Sequence, residues 1–376
     1  MTWINFLHFY QPPTSPKENI DKVVKECYQP IVDFLNQHKT TKLTINITAC
    51  LTEKLFYSGH TKLLNEFSKL SNKRQIEFVE SAAFHPILPL LPEKEIKKQI
   101  KINNKINSNR FGKTYNPKGL YLPEMAYSLK VANIVKKMGY KYIILDEIAI
   151  NKNLKKEIDN NIKYVLKNKL QVVFRNRAIS QTFAPKTINK TKEEKQFIIT
   201  ATDAELYGHR YWDWWKTYSS LVNRIKTATI SEYLKLPKKQ KIVQPIKCSW
   251  ESTPQELKKD IPFALWNNPK NRIHSKLWQF TDFVLKLNYK NQKDINHFAS
   301  RLHLENGLAS CTFWWASKKD FKLFAPIAWD PYMVEKGAHE LLYSVRSLEN
   351  IDLKIKIKAE KMFSQIREMV WKKHWK

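Results

Sequence analysis

Apolar residues along this chain fall first into short runs and then into long periodic stretches. Seven runs have strand character: TWINFLHF (2–9), KLTINITA (42–49), QIEFVES (75–81), GLYLPE (119–124), KYIILDE (141–147), LQVVFRNR (170–177) and QFIITATDAE (196–205). Between them the spacing is that of amphipathic helices, over about 16–37, 52–71, 93–108, 128–138 and 213–234. Such alternation predicts parallel strands joined by crossover helices. After a turn-rich stretch around Pro237, Pro245 and Pro254 and the NNPKN break at 267–271, the pattern is helical over 272–289, 292–305, 326–348 and 351–374. The expectation is an α/β chain in two parts, a β/α barrel over 1–265 and a helical domain over 266–376, with no internal repeat.

Length and composition support a buried core, since 376 residues with 43% hydrophobic and 12% aromatic content can bury a large apolar surface. The opening MTWINFLHFYQPP has no basic segment followed by an apolar one, and no run reaches the ~18 apolar residues a membrane helix needs. The expectation is a soluble, cytoplasmic protein without a membrane partner. Cys27, Cys50, Cys248 and Cys311 are scattered with no metal-ligand spacing, which predicts reduced, buried thiols. A net charge of +30 raises the question of nucleic acid, but lysines dominate and are spread along the whole chain rather than gathered in one basic arm. That distribution predicts a cationic surface with no specific nucleic-acid partner.

Candidate chemistry gathers where the strands end. In a parallel barrel the site forms at the C-terminal ends of the strands. His8 and Gln11 follow the first run, Glu80 and His85 the third, Glu124 the fourth, Asp146 and Glu147 the fifth, and Asp203 and Glu205 the seventh. Together they predict a polar, carboxylate-containing pocket. Two carboxylates on separate rigid strands suit glycosidic bond cleavage, in which one protonates the departing oxygen and the other acts at the anomeric carbon. Aromatic faces stack on sugar rings, and YGHRYWDWW (207–215, with Trp212) and CTFWWAS (311–317, with Trp314 and Trp315) supply them. Asp146 and Glu147 read as supporting groups or helix-start acids. Glu205 shares the face of Asp203 if the strand persists and leaves it if the chain bends at the mouth; its expected role is to orient a neighbour.

The ordered motifs resemble those of glycoside hydrolase family 57. HFYQP (8–12) is similar to the family's HxHQP-like first motif, FHPILP (84–89) to its His-Pro motif, and GLYLPEMAY (119–127) to the motif with Glu after Leu-Pro. DAELYGH (203–209) resembles the Asp-x-Glu-x-aromatic-Gly-His motif, and SCTFWWAS (310–317) the aromatic fifth region. The resemblance runs from residue 2 to about 345. It implies an incomplete (β/α)7 barrel whose helical C-terminal region contributes to the cleft. It makes Glu124 the nucleophile and Asp203 the general acid/base of a retaining reaction on α-glucans, of the α-amylase, 4-α-glucanotransferase or branching type, with no cofactor. His8, His85 and His209 would contact sugar hydroxyls, with Tyr10, Gln11, Trp212, Trp314 and Trp315 completing the substrate-binding set.

One position departs from the pattern. Tyr10 stands where the first motif usually has its second histidine, keeping hydrogen bonding but losing an imidazole's proton transfer near neutral pH. This departure motivates one alternative, a catalytically silent glycan-binding barrel. A second alternative is a metal-dependent polysaccharide deacetylase-like enzyme using the histidines, against which stands the lack of any HxxxH or HExxH pair.

Overall fold

The computed structural model describes residues 1–154, 158–190, 196–317 and 328–376. Seven parallel strands form the frame of the first compact unit: β1 (Thr2–Phe9), β2 (Leu43–Ile47), β3 (Ile76–Phe78), β4 (Gly119–Tyr121), β5 (Tyr142–Asp146), β6 (Gln171–Arg175) and β7 (Phe197–Asp203). One ladder runs β3-β2-β1-β7 and another β4-β5-β6. A parallel bridge from Glu80 to Leu120 joins β3 to β4, and Asn176 N–H donates to Ile199 C=O where β6 meets β7. The strands therefore go round a barrel, with β6 and β7 held by fewer backbone bonds than the other neighbours. The α/β architecture and all seven strands agree with the sequence pattern.

Alternation along the strands decides what fills the interior. On β1, Ile4 and Phe6 point inward with Tyr121, Tyr142, Ile144, Val173, Ile199 and Ala201, forming one buried cluster. The other face of β1 meets helices: Trp3 packs on Tyr218 at 5.0 Å, Asn5 donates to Tyr207 and Tyr218, and Phe9 lies 5.0 Å from Tyr28. Both faces are covered, so the strand is apolar almost throughout. Following the inward parity one step further along each strand reaches His8, Asp146, Arg175 and Asp203. Polar chemistry thus begins at the C-terminal mouth, where the apolar filling stops.

Two expected helices are broken. The stretch 52–71 divides into Ala49–Tyr57 and Thr61–Asn72, because Gly59 takes φ 91°, a conformation that ends a helix. The stretch 213–234 divides into Trp214–Val222 and Ile230–Lys235 around a short strand, Lys226–Thr227, that pairs with β1. Two further short strands were not expected: Lys163–Val165 runs antiparallel to β6 and carries Gln240–Ile242 beside it.

The second unit gathers Glu251–Lys376 with two short loops, Pro12–Thr14 and Phe84–Ile87. Its long helices are Arg272–Lys290, His297–Gly307, Pro331–Ser347 and Leu353–His374, with short helical turns at Pro254–Lys258 and Ser310–Trp314. The first two residues of the helix expected over 326–348 lie outside the described residues. Leu277, Phe280, Leu304, Phe313, Val334, Leu341 and Ile366 are buried in its core, and Trp278 stacks on Phe313 at 4.1 Å. Among the described residues no helix is long and apolar enough to cross a membrane.

Candidate active site

Glu124 sits on a turn that breaks the usual backbone rules. The chain leaves β4 through Leu122-Pro123 into a single 3-10 turn, and Glu124 adopts φ 59°, ψ 18°, with Met125 also at positive φ. A left-handed conformation at a non-glycine residue costs about 1–3 kcal/mol and persists only where the surroundings impose it. Trp250 imposes it twice: its backbone N–H donates to Glu124 C=O at 3.1 Å, and its indole Nε1 donates to Glu124 Oε2 at 2.8 Å. The carboxylate is thereby fixed in orientation at a strand end.

Trp250 is itself clamped. Its carbonyl accepts from Arg177 Nη1 at 2.6 Å, and the Arg175 guanidinium lies 4.9 Å from the indole centre. Both arginines pair with Asp146, Arg175 at 2.7 Å and Arg177 at 3.0 Å, all three being buried. Asp146 also accepts from Ile148 N–H, and Glu147 accepts from Arg177 N–H, so these two acids support the site and start the turn that follows β5. Arg175 reaches Ala201 C=O at 2.8 Å and so ties β6 to β7 where their ladder is thin.

Asp203 ends β7 in register with His8 on β1. The His8 ring lies 4.7 Å from Tyr121, 5.7 Å from Tyr10 in a stacked arrangement, and 6.3 Å from Trp250. His8 Nδ1 meets Asn46 Oδ1 at 2.8 Å, which places the ring proton on Nδ1 and leaves Nε2 as an acceptor. Burial lowers the His8 pKa to about 4, so the ring is neutral at physiological pH. Tyr121 is held far above the ordinary phenol range, first by burial and then by the charges of Glu124 and Asp203. The two carboxylates, the neutral imidazole, Tyr10, Tyr121 and Trp250 therefore share one neighbourhood at the mouth.

A second polar cluster in the same unit is built by a π-helical turn, Val24–Tyr28. Its last three residues all touch the segment after β7: Glu26 Oε2 meets His209 Nδ1 at 2.5 Å, Cys27 Sγ faces Ala204 C=O at 3.0 Å, and Tyr28 donates to Glu205 Oε1 at 2.5 Å. Gln11 donates to the same Glu205 oxygen at 3.0 Å. The chain bends at Ala204–Leu206, which takes Glu205 off the Asp203 face and toward Tyr28 and Gln11. Burial pushes the Glu205 carboxyl above its usual range. Gly208 is required here, because at φ 120° a Cβ would lie 1.8 Å from Glu26 C=O.

Other expected residues have different surroundings. Glu80 does not join the pocket. With Val79 turned inward, Glu80 points outward and accepts from Asn103, Asn104, Tyr115 and Tyr140, a buried brace between β3 and the helix Glu93–Phe111. His85 has φ 56° and belongs to the second unit, where Nδ1 meets Ser310 Oγ at 3.0 Å and its carbonyl accepts from Ser310 N–H. Trp212 is 79% exposed. Trp314 and Trp315 are half-buried in the second unit, packed edge to face at 4.2 Å. Among the described residues no group of three or more His, Cys, Asp or Glu side chains is arranged to hold a metal ion. Trp250, Arg175, Arg177 and Tyr121 are the residues that sequence reasoning missed; Arg175 was available from strand parity alone.

A seven-stranded β/α barrel with carboxylates from different strands at its C-terminal mouth defines the class. Residues 5–245 match the model of glycosyl hydrolase family 57, well over half of the chain, and the chain belongs to that family. It is 27% identical over 141 residues to Alpha-amylase 1 of Dictyoglomus thermophilum, a stretch that covers 38% of this chain and only 20% of that relative. Solved structures share the fold, among them a branching enzyme and a glucanotransferase. The GH57-type branching enzyme of Pyrococcus horikoshii superposes with a TM-score of 0.70 at 18% identity, covering 96% of this chain and 94% of that one. The 4-alpha-glucanotransferase of Thermococcus litoralis gives 0.70 at 14% identity, covering 93% and 59%.

Proposed function

We propose that the protein is a retaining glycoside hydrolase or glucanotransferase acting on α-glucans by double displacement, with Glu124 as nucleophile and Asp203 as general acid/base. The observation that carries this reading is the Glu124 carboxylate, held on a strained turn by the Trp250 indole, with Asp203 ending a different strand in register with His8, whose ring lies 4.7 Å from Tyr121. Family membership and the amylase, glucanotransferase and branching enzyme among its relatives support an α-glucan as substrate.

In the proposed reaction, Asp203 gives its proton to the glycosidic oxygen while Glu124 attacks the anomeric carbon, so the C–O bond to the departing sugar breaks as the bond to Glu124 forms. Water or a sugar hydroxyl then attacks the same carbon, its proton passes to Asp203, and the electron pair returns to Glu124. Water gives hydrolysis and a sugar acceptor gives transfer. His8, neutral at working pH, would hold a sugar hydroxyl by a hydrogen bond rather than move a proton. Tyr10, Gln11, His85, His209, Trp212, Trp314 and Trp315 complete the proposed sugar-contacting set. Cytoplasmic residence is supported by Cys27, Cys50 and Cys248, buried thiols outside any disulfide.

Incubation with maltoheptaose and with glycogen, followed by separation of products by length, tests the reading. Shorter chains alone indicate hydrolysis, and a ladder including longer chains indicates transfer. A folded preparation that binds maltoheptaose saturably and forms no product refutes the enzyme reading in favour of a binding barrel.

A further inference from the structure

Tyr121 carries a group that packing does not explain. It ends β4, three residues before Glu124, with its backbone fixed by Glu80 C=O accepting from its N–H at 2.8 Å and Ser81 Oγ donating to its carbonyl at 3.1 Å. The ring is fully buried against Phe6 at 5.0 Å, His8 at 4.7 Å and Trp250 at 6.0 Å. A phenylalanine would make the same contacts. Yet the side chain ends in a hydroxyl that is shielded from solvent and donates to no acceptor among the described residues. Leaving such a group unmatched is costly, and in a folded protein it calls for a reason.

The reason lies in its neighbours. After burial itself, the charges that most oppose ionisation of Tyr121 are those of Glu124 and Asp203, and the Glu124 amide faces the phenol oxygen. Tyr121 therefore stays protonated across any working pH. It is a donor without an acceptor, within the influence of two acids and unable to serve as a base.

We propose that Tyr121 is a positioning residue that donates its hydrogen bond to the Glu124 carboxylate as that group departs from the sugar. The inference rests on the double-displacement reading above. In the first step Glu124 loses charge as it bonds to the anomeric carbon, and a donor aimed at it gives little help. In the second step the bond from the anomeric carbon to Glu124 breaks, the electron pair returns to the carboxylate, and the attacking water passes its proton to Asp203. Charge grows on Glu124 in a dry site, where one ready donor has its greatest effect.

The test is Tyr121→Phe, assayed with an aryl α-maltooligoside whose good leaving group makes the first step fast. The account expects kcat and KM to fall together by about tenfold to a hundredfold, the worth of one hydrogen bond to a charged group, with kcat/KM nearly constant. A burst of aryl alcohol should precede the slow steady state, and the melting temperature should change little because the hydroxyl donates to nothing in the resting protein. Unchanged kcat and KM would overturn the proposal, as would a fall in kcat/KM without a burst. If the Phe variant does not fold, 3-fluorotyrosine at position 121 keeps the volume while making the hydroxyl a stronger donor, and an unaltered second-step rate would equally overturn it. Glu124→Gln, run in parallel, separates the two claims: full activity there removes the underlying reading, whereas an inactive Glu124→Gln beside an unaffected Tyr121→Phe removes only this inference.

Discussion

Replacing Trp250 by Phe isolates the contact that fixes the proposed nucleophile. The phenyl ring keeps an aromatic face toward Arg175, Tyr121 and His8, and the main-chain bonds to Glu124 and Arg177 are untouched. What disappears is the 2.8 Å bond from Nε1 to Glu124 Oε2. A hydrogen bond to a charged group is worth about 1.5–3 kcal/mol. That bond is strongest to the fully charged carboxylate of the free enzyme and weakens as Glu124 gives up charge, so its electrostatic part does not speed the first step. The cost of losing it is orientation: an unclamped carboxylate rotates away from attack, and misplacement of a reacting group gives an expected fall in kcat/KM of about 10- to 100-fold. KM for maltoheptaose should stay within about threefold, because the indole orients an acid and does not bind sugar. Stability should fall by less than the ~3–5 kcal/mol of emptying a Trp site, since the phenyl ring fills most of the space. Initial rates across substrate concentration, with calorimetry on the same preparation, provide the readout. A variant with kcat/KM within twofold of the parent and a native melting temperature would show that the indole only packs, and the orientation argument would fail.

Asp146→Ala leaves Arg175 and Arg177 buried without their counter-charge, so chemical denaturation should show a loss of about 3–5 kcal/mol; a loss under 1 kcal/mol would mean that the arginines find other partners. For His8 the folded pKa of about 4 lies below the ordinary 6.5, so its contribution is full above pH 6.5 and is lost as pH falls toward 4. Over that window the parent should lose about 3 kcal/mol more than His8→Gln, and equal losses in urea titrations would contradict the buried neutral ring. Trp314→Ala and Trp315→Ala should be told apart by fluorescence titration with maltoheptaose: a sugar-stacking indole weakens binding with little loss of stability, and if both variants bind as before while losing stability heavily, neither indole touches glycan.

Strand position was legible because each strand is a short run of β-branched and aromatic residues bounded by polar turns. Which residues face the interior was legible too, by the two-residue period. Ile4 and Phe6 predict an inward His8, and Ile199 and Ala201 an inward Asp203. The same rule, applied to β3, turns Glu80 outward beside the inward Val79, and the expectation that Glu80 joined the pocket came from counting strand ends without parity. Less of the site's support was readable. Trp250 reaches Glu124 across 126 positions, and nothing local to CSW at 248–250 marks an indole that will meet a carboxylate. The π turn at Val24–Tyr28 lies inside a stretch whose apolar spacing reads as continuous helix, because one inserted residue shifts the phase without removing the period. The left-handed Glu124 was equally hidden, since the strain belongs to the contacts that impose it and not to the residue.

The central claim is that Glu124 bonds covalently to the sugar, and mechanism-based trapping tests it most directly. A 5-fluoro-α-glycosyl fluoride of a maltooligosaccharide lets the first step proceed and slows the second, so a glycosyl-enzyme should accumulate. Digestion and tandem mass spectrometry should then find one sugar-bearing peptide spanning GLYLPEMAY, with the added mass on Glu124 and none on Asp203. The same adduct should be absent from Glu124→Gln. A sugar ester on Asp203 or any other side chain, or steady turnover of the parent substrate with no adduct at Glu124, would contradict the account.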